Sequence, residues 1–137
     1  MNKRLWMVMI LALGLVLLTA GMAGAAAKFQ DLTGTWTGTA NTAYWEGGNY
    51  NFESVGVTLV VSQQDANGMF YGTFTYDTSE DIMTGSIATN KIITIASWIS
   101  GGHGTFTGKL TGKTITGTVN FFYDAYIATE TVKLTKQ

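Results

Sequence analysis

GTWTG, residues 34 to 38, returns as GTFTG at residues 104 to 108 and as GTFTY at residues 72 to 76. In each copy an aromatic ring and a glycine alternate with threonine. Successive side chains of a β-strand point to opposite faces, so this period of two places rings and glycines on one face and threonines on the other. The repeat therefore predicts half-buried strands in which glycine leaves room for a neighbouring ring.

The whole chain after residue 27 has this character. Short turns such as DANG at residues 65 to 68 and the pair Gly112-Lys113 separate apolar, threonine-rich segments. Connections this short force neighbouring strands to be antiparallel, and closure removes the exposed edges of a meander. We therefore expect an all-β fold, an eight-stranded antiparallel up-and-down (meander) barrel. The expected strands are 32–42, 52–64, 69–76, 82–88, 92–100, 105–111, 114–123 and 126–136.

Alternation alone does not decide which face is inside. A transmembrane barrel would turn its apolar face outward to lipid and its polar face inward. Here the polar face is mostly uncharged threonine, the turns are short, and the chain ends VKLTKQ at residues 132 to 137, without a terminal aromatic residue. These features favour an apolar interior, and a protein that is not integral to a membrane once it is processed.

The first 27 residues have the layout of a secretory signal peptide. Lys3 and Arg4 precede an apolar run over residues 5–18, and Ala25-Ala26-Ala27 offers a small-residue cleavage site. The sequence thus predicts residues 1–27 as signal peptide, residues 28–137 as a single β-barrel domain, and a secreted or periplasmic location. The chain contains no cysteine, which excludes disulfides and thiolate metal sites.

The charged residues of the chain argue against one class of partner and do not identify another. Residues 28–137 carry six lysines against nine acids, and along the sequence the acids are scattered, with no basic stripe. Nucleic acid is therefore not an expected partner.

Three segments carry a resemblance to a known group of proteins. Asp31 to Trp36 reads DLTGTW, residues 68 to 76 read GMFYGTFTY, and residues 94 to 108 read TIASWISGGHGTFTG. The first is similar to the Gly-x-Trp opening of the lipocalin and avidin (calycin-type) barrels, and the other two resemble avidin strands. The resemblance implies an eight-stranded barrel whose open end binds a small molecule.

The biotin contacts of the avidins do not carry over. Avidins hold the ureido oxygen with an Asn, a Ser and a Tyr, and the matching positions here are Gly38, Thr42 and Phe74. Two of the three donors are absent, and a polar ligand buried without its donors loses much of its affinity. No tryptophan follows Trp98, although the family has one on its seventh strand, near Phe121 or Phe122 here. Biotin is therefore not the expected ligand.

The candidate ligand-binding residues are aromatic or ionisable and lie near strand ends. The segment 41–52, NTAYWEGGNYNF, is expected to be a loop at the barrel mouth or a lid folded on the core. Trp36, Phe74 and Phe106 are expected to plug the barrel. No catalytic set, metal-ligand spacing or cofactor motif occurs, so we expect no enzyme activity, metal or cofactor. The candidate ligand-binding residues are Tyr44, Trp45, Tyr50, Trp98, His103 and Glu130.

Two functions from different classes remain open. The first is a non-catalytic barrel that binds a small apolar or aromatic ligand at its open end. The second is a filled barrel that docks on another protein, as an inhibitor or an envelope component, through the aromatic segment 41–52. An internal void of several hundred cubic ångströms would favour the first function, and a packed interior would contradict it.

Overall fold

A computed structural model describes residues 28–77, 79–99, 102–123 and 126–137. The expected signal peptide lies outside these residues. Eight consecutive antiparallel strands pair in sequence order, and β8 pairs with β1 to close the barrel. The expected all-β meander barrel is therefore confirmed. The strands are β1 Gly34–Glu46, β2 Asn49–Gln64, β3 Met69–Tyr76, β4 Ser79–Ile87, β5 Ile92–Ile99, β6 Gly102–Thr111, β7 Thr114–Tyr123 and β8 Tyr126–Lys136.

The segment 41–52 is not a loop. β1 continues to Glu46 and β2 begins at Asn49, so only Gly47 and Gly48 form the turn. Both glycines have positive φ, of 58° and 87°, as a two-residue hairpin turn with the right twist requires. The prediction failed because a polar, glycine-containing stretch was taken for a connection, although its residues pair across the hairpin.

The Asp65 turn has the geometry that its sequence predicts. The Asp65 carboxylate accepts hydrogen bonds from the backbone N–H of Asn67 and of Met69, each at 2.8 Å. Gly68 has a φ of 80°, a backbone angle that residues other than glycine rarely adopt. The backbone hydrogen bonds to the carboxylate lower the pKa of Asp65.

The interior is formed by alternate residues of all eight strands. Leu59, Met83, Ile93 and Ile115 are among the fully buried side chains, and the rings of Trp36, Phe70, Phe106 and Phe121 fill the space between them. Apart from Thr42, the threonines of β1, β6, β7 and β8 alternate with them and lie outward, mostly exposed. Within the described part of the chain, no helix is long and apolar enough to cross a bilayer.

One end of the barrel is sealed by the segment that precedes β1. Leu32 is fully buried, and its backbone N–H donates to Gln64 Oε1 at 2.8 Å. The Trp36 indole Nε1 donates to the carbonyl oxygen of Leu32 at 2.8 Å, and Lys136 Nζ lies 5.3 Å from the ring centroid. We call this end, with the turns 65–68, 88–91 and 112–113, the closed end.

Candidate functional site

The opposite end of the barrel, which we call the open end, carries the other four hairpins. An up-and-down meander brings alternate strand ends together, so the ends of β1, β3, β5 and β7 and the beginnings of β2, β4, β6 and β8 lie there. The inward residues near these strand ends form the candidate site.

A small apolar cavity lies in the middle of the barrel. Its volume is about 20 Å³, which is about the room that one water molecule needs. The barrel is therefore packed through its centre, and any ligand larger than a small group must sit above this level. The lining residues are Phe74, Ile95, Phe106, Val119, Phe121, Val132 and Leu134.

A connected set of polar side chains lies on the inward face beside this apolar centre. We call Thr42, Glu53, Tyr76 and Glu130 the mouth cluster. Thr42 of β1 pairs with Glu53 of β2 on one side and with Glu130 of β8 on the other, and directly paired residues share a face. Tyr76 reaches them from β3. Four strands thus contribute one side chain each.

The cluster runs from the buried interior to solvent. Glu130 and Thr42 are each 2% exposed, Tyr76 is half-buried and Glu53 is exposed. Thr42 Oγ1 lies 2.9 Å from Glu130 Oε1 and 3.0 Å from the Tyr76 hydroxyl, which donates to Glu53 Oε1 at 3.0 Å. Glu130 Oε2 is buried and has no hydrogen-bond partner among the described residues.

The cluster is one proton short when both carboxylates are ionised. The two hydroxyls carry one proton each, and the three contacts need three. If Thr42 donates to Glu130 and Tyr76 donates to Glu53, the Thr42–Tyr76 contact joins two oxygens with no proton between them. A proton on Glu130 completes a one-way chain from Glu130 through Thr42 and Tyr76 to Glu53.

Burial favours the protonated forms of Glu130 and Tyr76, as this count of protons requires. Burial raises the pKa of Glu130, its hydrogen bond with Thr42 opposes the rise, and the negative charge of Glu53 adds to it. Burial is also the main reason that the pKa of Tyr76 is raised, so this hydroxyl stays protonated. Burial raises the pKa of Asp81 on β4, whose Oδ2 is buried without a partner among the described residues.

We expect Glu130→Gln to stabilise the protein at high pH. A raised folded-state pKa means that the folded chain keeps its proton while the unfolded chain has lost it, so stability falls as pH rises from the unfolded pKa to the folded one. The amide carries no charge and can donate to Thr42. The gain is roughly 1.4 kcal/mol per unit by which the folded pKa exceeds the unfolded value. It is absent below the unfolded pKa, where the carboxyl is protonated in both states. Urea unfolding at about pH 4, 6 and 8 measures it.

Glu46→Gln is the matched control, because Glu46 is exposed at the tip of the same end. It removes the same charge without removing a buried carboxylate. A stability difference for Glu130→Gln that does not change with pH would contradict a raised pKa at Glu130.

The structure does not bring the six candidate ligand-binding residues together in one site. Tyr44, half-buried, and Glu130, buried, lie on the inward face. Trp45, Tyr50 and His103 are exposed on the outward face. The backbone of Trp98 pairs with that of His103 at the open end, and the Trp98 side chain lies outside the described part of the structure.

The outward candidates belong to a row that crosses several strands. Tyr50 pairs with Trp45, Trp45 with Ile127, Ile127 with Phe122, and Phe122 with His103. We call these five residues the outer row. Its apolar members are at least 43% exposed, and Tyr50 is 82% exposed. The row is an apolar band on the outside of the open end rather than a lining of its mouth.

Sequence reasoning missed Glu53 and Tyr76 as site residues, and considered Thr42 only as a counterpart of the avidin Ser. A signal for Tyr76 was present, since Phe70, Gly72, Phe74 and Tyr76 alternate on one face of a single strand. For Glu53 there was none, because its segment was assigned to a loop. The three residues expected to plug the barrel lie inward: Trp36 is buried at the closed end, and Phe74 and Phe106 line the central cavity.

The positions compared with the biotin donors lack room as well as donors. A Cβ at Gly38 would overlap the carbonyl oxygen of Lys133 on β8, so glycine is the only residue that fits there. Thr42 is already engaged by Glu130 and Tyr76. Phe74 lines the apolar cavity.

We expect biotin to leave this protein unchanged. Tryptophan emission should not be quenched and the melting temperature should not rise on titration with biotin, because two donors are missing and the third is occupied. An increase in melting temperature that saturates with biotin would overturn the residue-level argument.

Within the described ranges, no group of three or more His, Cys, Asp or Glu side chains is arranged to hold a metal ion. Comparison with family models, with curated proteins and with solved structures finds no match to this chain.

Proposed function

We propose that this protein is a secreted or periplasmic, non-catalytic binding protein that takes a small ligand with an apolar or aromatic body at the mouth of its barrel. The observation that carries the proposal is a buried polar cluster placed beside an apolar floor at the open end. Burying a carboxylate without full pairing destabilises a fold, so its presence here points to a role in binding.

The small central cavity decides where the ligand sits. A volume of about 20 Å³ contradicts a ligand enclosed within the barrel, and by the criterion of interior volume it favours the docking function. The proposal therefore places the body of the ligand across the mouth, above Phe74 and Phe121, with at most one small group entering. A resemblance to the calycin-type barrels would also imply that the ligand binds at the open end. We propose that resemblance as well.

A second candidate is a protein-docking function, and the outer row favours it. Tyr50, Trp45, Ile127 and Phe122 form a contiguous exposed apolar band. Bands of this kind on a secreted protein are typical of interaction sites. A partner bound there would contact the outside of the barrel and leave the mouth cluster unaltered.

Native mass spectrometry of the processed protein, purified from its own host, tests both functions. Thr42→Val changes the mouth cluster with almost no change in volume, and Tyr50→Ser changes only the outer row. A retained small mass that Thr42→Val abolishes and Tyr50→Ser leaves in place supports the mouth site. A protein that co-purifies and is released by Tyr50→Ser alone supports docking. A small mass that neither variant affects would contradict the mouth site.

A further inference from the structure

The fold sorts the charges of the chain between the two ends of the barrel. Among the described residues, the open end holds six acids and no lysine, and the closed end holds six lysines and two acids. A concave acidic site with low-dielectric walls focuses the field and attracts cations. The open-end acids are Glu46, Glu53, Asp77, Glu80, Asp81 and Glu130. The closed-end charges are Lys28, Lys91, Lys109, Lys113, Lys133, Lys136, Asp31 and Asp65.

A second and independent observation lies inside the mouth. Glu130 is only 2% exposed, and its Oε2 atom has no hydrogen-bond donor among the described residues. The mouth cluster also lacks one proton for its three hydrogen bonds when both carboxylates are ionised. The site is thus deficient in hydrogen-bond donors as well as in positive charge.

We propose that the ligand at the mouth carries a primary ammonium group, which binds Glu130 Oε2 and the other oxygens of the mouth cluster. This inference rests on the proposed function and names its ligand class: an amine on an aromatic or short aliphatic body. An ammonium group offers three donors and one positive charge, which are the two things the cluster lacks. The apolar floor formed by Phe74, Val119 and Phe121 receives the carbon atoms next to the nitrogen.

Size is consistent with this assignment. The cavity has an apolar lining and holds one small group, so it receives the carbon next to the nitrogen, while the ammonium head lies beside Glu130 and the ring stays at the rim. Val119 pairs directly with Glu130, and Val132 follows Glu130 by two residues on the same face; both valines line the cavity, whereas Glu130 itself does not. A bulky quaternary head or a ligand buried whole does not fit this space.

Binding is coupled to a proton. The other titratable side chains on the inward face at this end, from residues whose side chains the structure describes, are Tyr44 and, at the tip, Glu46 on β1, Glu53 on β2, Tyr76 on β3 and Asp81 on β4. Of these groups, Glu53 is joined to Glu130 through Thr42 and Tyr76 and is exposed, so a proton that leaves Glu130 reaches solvent either directly or by way of Glu53. An ammonium group that pairs with ionised Glu130 therefore displaces this proton, and binding tightens as pH rises until the amine itself deprotonates.

Benzylamine and benzyl alcohol are a matched pair of probes, since they share a ring and differ in charge. Isothermal titration of the processed protein should show benzylamine bound at least about tenfold more tightly than benzyl alcohol. Glu130→Gln should weaken benzylamine by at least about tenfold, and Glu46→Gln should change it by less than about twofold. Since Glu130→Gln is expected to fold at least as well as the parent, a loss of binding is not a loss of structure.

Titration in buffers of different ionisation enthalpy gives an independent readout. Release of up to about one proton per benzylamine, lost in Glu130→Gln, is expected near and below the folded pKa of Glu130. Equal binding of both probes in the mouth would overturn the ammonium assignment and leave the proposed function standing. Benzylamine binding that Glu130→Gln does not weaken, or absence of benzylamine binding, would also overturn it, and native mass spectrometry then judges the proposed function separately.

Discussion

Gly38→Ala is expected to destabilise the barrel by about 3 kcal/mol or more, because the added methyl group has no space. A Cβ at this position would overlap the carbonyl oxygen of Lys133, which is backbone of the neighbouring strand β8. Relief would require β1 and β8 to separate where they close the barrel. Urea unfolding followed by circular dichroism measures the loss.

Gly56→Ala is the matched control. Gly56 is also a strand glycine, exposed on β2, and a Cβ there meets nothing within 4 Å. Alanine also restricts the unfolded chain more than glycine, so this variant should be neutral or slightly stabilising. Equal losses for the two variants would mean that general strand propensity, rather than close approach of strands, sets the need for glycine at residue 38.

The part of the fold that could be predicted is the part encoded by neighbouring residues. The alternation around Trp36 and Phe106 predicts both strands and which residues share a face, and the uncharged threonine face opposite favours the ring-bearing face as the interior. Short turns such as Asp65 to Gly68 left only antiparallel pairing between successive strands, and a meander of eight strands closes to remove its edges. Each of these steps needs only residues that lie within one strand or one turn of each other.

The mouth cluster could not be predicted, because its members are distant in sequence. Glu53 and Glu130 meet at Thr42 through the register of β1 with its two neighbours, and Tyr76 joins them through the register of β2 with β3. A shift of one residue in a register would turn the corresponding side chain outward. The segregation of charge has the same origin. Acids that are scattered along the chain gather at one end because alternate hairpins of a meander share an end.

The long β1–β2 hairpin shows why composition can mislead. Trp45 and Tyr50 stand in a polar, glycine-containing segment, which is typical of a loop. Their pairing across Gly47-Gly48 extends both strands and fixes which side chains face inward. Tyr44 thereby lies on the inward face, while Trp45 and Tyr50 lie on the outer surface.

Trp36→Ala is expected to reduce the free energy of unfolding by about 3–5 kcal/mol, the range found when a buried aromatic ring is removed. Trp36 is 1% exposed and its indole Nε1 donates to the Leu32 carbonyl oxygen, so the change leaves both a cavity and a buried acceptor without its donor. Trp36→Phe keeps most of the ring and should lose less.

Trp45→Ala is the control that shows whether the loss of stability depends on the end of the barrel from which a tryptophan is removed. It removes the same side chain from the outer row, where Trp45 is 43% exposed, and should cost less than about 1 kcal/mol. Urea unfolding of the three variants beside the parent gives the comparison. If Trp36→Ala cost no more than Trp45→Ala, the segment around Leu32 would not seal the barrel. The stability of the fold would then have to come from the strands alone, because the closed end would contribute no more than the exposed rim.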